Sequence, residues 1–468
     1  MKNLLVILLS LCFINSLFAQ SVEGEHADGG VIRAGTAPGA PKIFPEYMGK
    51  LVLFGNLHAH SALSDDVKTR YKRRMTPKKA YSYAMKHGLD FLALTDHHKG
   101  YMQDQEGRLI LDEKFKIGDD EYHDKSYEVA MKFNERHTGQ FVAIPGIEWG
   151  TTSTGNHINI FGAASLPNKE EILDHHYLDL IEWAREYAEF IQFNHPNSGG
   201  SSNSKRQGNY GVKQYTNEDE FVEVVDPVVK TISLITTVGG GHITGKHRHS
   251  EKKVHRRGQW EKYYKRYLNM GFHLSPSANQ DTHYTNWGSV TAARTAVWSD
   301  GVTYSDLMEA FRSNRVYATE DDELVVAFTA EYGGKTYWMG DSIEIGHDES
   351  TIDIKVQVWQ ASGIDQDPLD EGPYTIELLS DWDGVGEHEA AVWDVQKGVK
   401  TGELAMWQDI EVVDGEYIYI RVREEGGQDN LLGDGEDVLN NETGVHKKDG
   451  KRDNMNDTAW TSPIWFTK

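Results

Sequence analysis

The rhythm of apolar and polar positions changes near residue 320. From residue 51 onward, short apolar runs alternate with amphipathic stretches. LVLFGNL (51–57), LDFLALT (89–95), FVAIPGIEW (141–149), HINIFGA (157–163), FIQFNHP (190–196), FVEVV (221–225), ISLIT (232–236) and HLSPSAN (273–279) read as strands. KKAYSYAMK (78–86), YLDLIEWAREYA (177–188) and QWEKYYKRYL (259–268) read as helices between them. Thr76-Pro77 marks a helix start, with threonine as cap and proline at the first helical position. Gly88 marks its end. A fully apolar run such as FLALT is what a strand buried on both faces requires. Strand and helix in alternation imply an α/β barrel or a doubly wound sheet. Beyond residue 320, TIDIKVQVW places Ile352, Ile354, Val356 and Val358 on one face. EYIYIRVR places Ile418, Ile420 and Val422 opposite Tyr417, Tyr419 and Arg421. Period-two alternation without intervening helices predicts a small antiparallel β-sandwich with one solvated face.

The ends of the chain refine this division. Lys2, the apolar stretch Leu4–Phe13 and Leu17-Phe18-Ala19 before Gln20 form a cleavable signal peptide pattern over 1–19. Asn15 and Ser16 interrupt the apolar stretch short of the roughly 20 residues a membrane anchor needs. Residues 20–48 are rich in Gly, Ala and Pro and read as an extended lead-in. The organisation expected is therefore signal peptide 1–19, lead-in 20–48, α/β domain 49–320 and β-sandwich 321–468, exported to the periplasm or outside the cell. At 468 residues, roughly 150 per domain, the chain is long enough for each part to bury its own core.

Charge and cysteine content narrow the function. A formal charge of −24 argues against nucleic acid as a bulk partner and against docking on anionic lipid. The single cysteine, Cys12, excludes a disulfide framework and lies in the signal segment. The unusual count is 21 histidines beside 72 Asp and Glu, which points to divalent metal chemistry.

Position along the strands sharpens that hypothesis. His58 and His60 form an HxH pair at the end of the first strand, where alternate residues share a side. Ser64-Asp65-Asp66 follows. Asp96 and His97 end the next buried strand, with His98 after them; Glu148 ends another. His157, His195 and the Asp281-x-His283 pair complete an ordered series. Taken singly, each residue has an ordinary structural explanation. Together, at strand ends where α/β folds place active sites, they read as a metal centre.

These motifs resemble the PHP superfamily of metal-dependent phosphoesterases. NLHAHSALSD, LTDHH, GIEW, FNHPN and NQDTHY match its five motifs in order, over about residues 51–320. The signal segment and trailing β-domain resemble its exported branch, related to carbaryl-type hydrolases. The resemblance implies a distorted seven-stranded (β/α) barrel and two or three divalent ions (Zn, Mn or Fe). It implies His58, His60, Glu148 and Asp281 at one ion. Glu148 bridges to a second, with His157 and His195; Asp65, His97 and His283 hold a third. Asn159 shares a strand face with His157 and either supports it or replaces it as the ligand, and Asp66 is an alternative to Asp65. Asn56 stands where the family has Asp, which is expected to loosen support at the first ion.

A metal-activated water would then be expected to attack a small phosphate ester or other anionic substrate, with Glu148 at the centre. Asp96 is expected to orient the site, His98 to donate a proton to the leaving group, and Arg294 to bind an anionic group or form an ordinary salt bridge. Carboxylic or carbamate ester hydrolysis at the same metals is the alternative reaction. A non-catalytic polysaccharide-binding role, through Trp359, Trp382 and Trp407, is the alternative from another class. The basic run 245–260 reads as a solvated loop or an attractor of anionic substrate. The Asp- and Asn-rich stretch 429–444 reads as an acidic loop or a calcium site.

Overall fold

The computed structural model describes residues 44–64, 75–97, 102–103, 109–110, 122–150, 157–165, 177–196, 210, 215–237, 254–255, 261–289, 292–346, 350–361, 373–381, 391–425 and 458–468. The expected signal segment 1–19, most of the expected lead-in, Asp65, Asp66, His98, Trp382, the acidic stretch and most of the basic run lie outside the described residues. No helix among the described residues is long and apolar enough to cross a membrane.

The fold is mixed α/β, with one large sheet and few helices. Its first part contains β1 (Lys50–Asn56), α1 (Pro77–Lys86), β2 (Phe91–His97), α2 (Tyr122–Arg136), β3 (Val142–Trp149), β4 (Ile158–Phe161), α3 (Tyr177–Tyr187) and β5 (Phe190–Phe193). There follow α4 (Glu218–Val225), β6 (Val229–Thr237), α5 (Glu261–Asn269), β7 (Ser275–Asn279), β8 (Arg294–Ser299), α6 (Tyr304–Arg312) and β9 (Val316–Thr319). β1 pairs with β2 and β2 with β3 in parallel. β3–β4 and β4–β5 are antiparallel, whereas β5–β6 and β6–β7 are parallel again. β8 pairs antiparallel with β1. It meets β7 through Thr295, whose Oγ1 accepts from Ala278 N at 3.1 Å and donates to Ala278 O at 3.0 Å. The run of strands thus returns to its starting point. The antiparallel step at β4 has a simple cause: residues 150–157 are too few for the crossover that a parallel pair needs.

Local sequence explains most elements. Pro77 starts α1 as expected, although the Thr76 hydroxyl makes no cap bond and its carbonyl takes the Lys79 and Ala80 amides instead. Gly88 leaves that helix at φ +87°, a conformation that favours glycine. FVEVV is helical, not a strand. Asn217 caps it by accepting from Glu220 N at 2.8 Å, three acidic residues fill its first turn, and Phe221 and Val225 bury one face.

The second part comprises β10 (Leu324–Tyr332), β11 (Lys335–Trp338), β12 (Ser342–Glu344), β13 (Ser350–Gln360), β14 (Tyr374–Ser380), β15 (Ala391–Val399), β16 (Leu404–Val412), β17 (Tyr417–Glu424), β18 (Thr458–Thr461) and β19 (Ile464–Thr467). A four-stranded antiparallel sheet runs β11-β10-β13-β16. β14, β15, β17, β18, β12 and β19 join the large sheet, where β18 pairs with β9. Ile352, Ile354, Val356 and Val358 are all buried, as their alternation requires. They share one apolar cluster with Ile418, Ile420 and Val422 of β17, and with Val52, Phe54, Ala296 and Trp298 of β1 and β8. The two parts are therefore joined through a common core. Tyr417 and Tyr419, expected in solvent, are 2% and 0% exposed because that face of β17 packs on α5. Trp359 packs against the core beside Tyr47 and Trp298, and Trp407 is buried with its Nε1 donating to Asp394. Neither presents a free platform for sugar.

Candidate metal centre

Backbone register brings the polar residues together. In the parallel β2–β3 pair, His97 lies opposite Glu148. Beyond β1 the chain continues as an extension: Ala59 bridges Thr282 in parallel, Asp281 N donates to His58 O, and His60 N donates to Thr282 O, both at 2.8 Å. HxH and DxH thus face one another across two neighbouring strand ends. His195 follows β5 and contacts Glu148 from the far side at 2.9 Å. Asp281 and His195 hold left-handed backbones, with φ +46° and +22°. Non-glycine residues rarely adopt such conformations, and they concentrate where side-chain placement overrides backbone preference.

Glu148 is the hub. Its Oε2 lies 2.9 Å from His58 Nε2, 3.3 Å from His60 Nε2 and 3.4 Å from His97 Nε2. Its Oε1 lies 2.8 Å from His157 Nδ1 and 2.9 Å from His195 Nε2. Asp281 Oδ1 meets His60 Nε2 at 2.9 Å and His58 Nε2 at 3.2 Å. Three groups can hold an ion: His58, His60, Glu148 and Asp281; His97, Glu148 and His157; and His60, His97 and His283. All four members of the first are buried, whereas the other two groups open partly to solvent.

The donor chemistry fits a divalent cation. In the first group each imidazole nitrogen stands 2.9–3.3 Å from each carboxylate oxygen. Ligands about 2.1 Å from a tetrahedral ion lie roughly 3.4 Å from one another. Two carboxylates among six imidazoles would also be an expensive arrangement to bury for packing alone. Burial disfavours the charged form of Glu148, but the imidazoles of His58, His97 and His157 outweigh it and hold the carboxyl well below its usual range. Asp281 is held down in the same way, by His58, His60 and His283 against burial. His157 and His195 touch the same oxygen yet move in opposite directions. Burial pushes both down; Glu148 overcomes it at half-buried His157, and does not at His195.

Supporting contacts set the imidazole orientations. His283 Nδ1 faces the Asp281 carbonyl at 2.9 Å; a carbonyl only accepts, so Nδ1 carries the proton and Nε2 keeps its lone pair. Ser64 Oγ sits 3.1 Å from His60 Nδ1 and accepts from His97 N at 3.0 Å. Asp96 is a positioning residue: its carboxylate binds the Ser61 amide and hydroxyl at 2.5 and 2.8 Å and so fixes the loop carrying Ser64. Asn56 Oδ1 accepts from His58 N and Gln280 N, at 3.0 and 3.2 Å. It therefore braces the two backbones that meet here, but its Nδ2 and His58 Nδ1 are both buried without a hydrogen-bond partner among the described residues, so the imidazole itself is supported loosely, as the sequence suggested.

Two expected roles change. Asn159 turns away from the ion groups, donating to Leu57 O and accepting from Asn194, so His157 alone occupies that position. Arg294 is buried and binds Ala293 O, Gly288 O and Asp322, the ordinary salt bridge and not an anion site. Ser64 and Asn194 had no assigned role, because a lone hydroxyl or amide carries no spacing signal. For Asn194 the one available clue was its place beside His195 at a strand end.

Gly150 leaves room for the centre. A Cβ there would lie 2.6 Å from His157 Nε2. Gly150→Ala should push His157 off Glu148 and lower bound metal by about one equivalent per chain with the thermal midpoint little changed. Metal analysis of the purified variant would check this, and unchanged content would count against it.

No family model matches the chain, and no curated protein matches it. Among solved structures, a two-domain protein containing a predicted PHP-like metal-dependent phosphoesterase from Bacteroides vulgatus overlays at 15% identity with a TM-score of 0.42. The overlay covers 84% of this chain and 96% of that one. PsfC from Pseudomonas syringae overlays at 13% identity and TM-score 0.30, covering 56% and 89%. The lesion-specific endonuclease PfuEndoQ from Pyrococcus furiosus overlays at 12% and 0.30, covering 56% of each chain.

Proposed function

We propose that the chain is an exported metal-dependent hydrolase of the PHP superfamily that cleaves small phosphate mono- or diesters. In this reading residues 1–19 are the signal peptide, 20–48 the lead-in, 49–320 a distorted barrel and 321–468 a β-sandwich. The observation that carries the reading is the convergence of five imidazoles on the buried carboxylate of Glu148, with Asp281 and His283 beside it. Five sequence motifs in PHP order agree with it.

His58, His60, Glu148 and Asp281 would hold one ion, and Glu148 with His157 and either His97 or His195 a second. His60, His97 and His283 would hold a third, with Asp65 as the further ligand proposed from sequence. Divalent zinc, manganese or iron held there would supply polarisation of a phosphoryl oxygen and would bring the pKa of water towards neutrality. The chain's own part is to keep Glu148 and Asp281 ionised and to aim the imidazoles inward through Ser64 and the Asp281 carbonyl. His98 is the proposed proton donor to the leaving group. The overall negative charge favours small substrates over nucleic acid.

Stripping metal with a chelator should abolish hydrolysis of p-nitrophenyl phosphate, or of its diester, and added manganese or zinc should restore it. Metal-replete protein inert on every phosphate ester tried would defeat the proposal. Cleavage of the acyl ester of the same phenol alone would retain the metal centre and reassign the bond.

A further inference from the structure

Beneath Glu148 the strand interior is polar, and its hydrogen bonds have a fixed direction. The Leu57 carbonyl only accepts, so Asn159 must turn Nδ2 towards it, at 3.1 Å, and present Oδ1 to Asn194. Asn194 Nδ2 then donates to Asn159 Oδ1 at 2.7 Å and to Glu148 Oε1 at 3.2 Å, using both its hydrogens. Its Oδ1 accepts from Gln192 Nε2 at 2.9 Å. Gln192 Oε1 in turn faces Thr231 Oγ1, Ser277 Oγ and Asn279 Nδ2 at 3.1, 2.8 and 3.3 Å. The orientation of Asn279 is fixed as well, because its Oδ1 accepts from Leu57 N at 3.0 Å. Both ends of the chain of amides are thus set by the peptide groups of Leu57, the residue before His58. Gln192, Asn194, Asn159 and Asn279 are all buried. Satisfied buried networks of this kind hold one geometry.

We infer that Gln192 and Asn194 form a directed amide relay that positions Glu148, keeping its Oε1 an acceptor so that the carboxylate serves both sides of the centre. The inference rests on the metal reading above and adds residues that belong to no ion group themselves. An outer partner of this sort tunes affinity by about 10- to 100-fold in metal sites.

The test is a double-mutant cycle on chelator-stripped full-length protein, titrated with manganese or zinc against a chromophoric chelator. Asn194→Ala should weaken affinity about tenfold. Gln192→Met, which leaves the Asn194–Glu148 contact in place and removes the donor behind it together with the acceptor for Thr231, Ser277 and Asn279, should weaken it in the same direction. The double variant should bind no more weakly than Asn194→Ala alone, since both act through one contact. Additive losses would overturn the relay, as would thermal midpoints that fall while affinities stay at the wild-type value. Should Asn194→Ala fail to fold, Gln192→Met decides by itself, and an unchanged affinity counts against the relay. Wild-type protein that takes up no ion would overturn the metal reading and the relay together.

Discussion

Glu148→Gln should lower kcat/KM for an aryl phosphate by at least a thousandfold and remove most of the bound metal. The substitution keeps the shape of the side chain, so the loss isolates chemistry from packing. Five imidazole nitrogens lie within 3.4 Å of the two Glu148 oxygens. An amide replaces one oxygen with an NH2 group, which puts donors where the histidines and a cation both require an acceptor. It also removes one of only two carboxylates in the four-residue ion group. A thousandfold loss is about 4 kcal/mol of transition-state stabilisation, within the range expected when a metal centre is dismantled. Steady-state rates together with metal analysis would check it, with the thermal midpoint as the control for folding. A variant that kept its metal and came within tenfold of wild-type activity would remove Glu148 from the centre of the mechanism.

Arg421→Met should cost about 2–4 kcal/mol of stability, the largest effect expected away from the metal centre. Arg421 lies on β17 and binds both carboxylate oxygens of Glu261 on α5, at 2.9 and 3.0 Å, while its Nε binds Glu377 on β14 at 2.5 Å. All three side chains are between 11% and 14% exposed. Removing the arginine takes the nearest cation from two nearly buried carboxylates, leaving Glu261 with the Tyr419 hydroxyl and with Lys265 at 3.9 Å, and Glu377 with Arg423 at 3.2 Å, which costs more than the pair contributed when intact. The partial exposure keeps the estimate below the ~3–5 kcal/mol seen when fully buried pairs are broken. Urea unfolding at neutral pH would measure it. Adding Glu261→Gln to Arg421→Met should recover part of the loss by removing one of the two charges that lost their nearest cation. A loss below about 0.5 kcal/mol would place Arg421 among ordinary surface pairs.

Both predictions join residues far apart in the chain, and they differ in how far the sequence could show them. Glu148 was legible because imidazoles and carboxylates at the ends of apolar runs have few structural reasons to be there. The strands were legible for a related reason: LVLFGNL and FLALT are apolar throughout, and TIDIKVQVW alternates strictly. FVEVV was misread because five residues are too few for a helical period to show, and the signals that decided it, Asn217 and the acidic turn, lie upstream. Gln192 and Asn194 behind Glu148 were illegible, since an amide bonds equally well to water, backbone or another amide, and Asn159 showed only through the strand face it shares with His157.

Residue chemistry alone therefore determined the candidate ligands at His58, His60, His97, Glu148, His157, His195, Asp281 and His283, together with the element types that carry most of them. Periodicity and side-chain type are local properties, and a single chain displays them directly. Which oxygen each histidine meets, how His97 comes opposite Glu148, and why Asn194 rather than Asn159 supports that carboxylate were decided by strand register. The burial of Tyr417 and Tyr419 belongs to the same class. Their alternation marked the face of β17 correctly, but whether that face meets water or helix α5 depends on residues more than a hundred positions away. Contacts at that separation leave no local pattern, so only the packed structure could assign them.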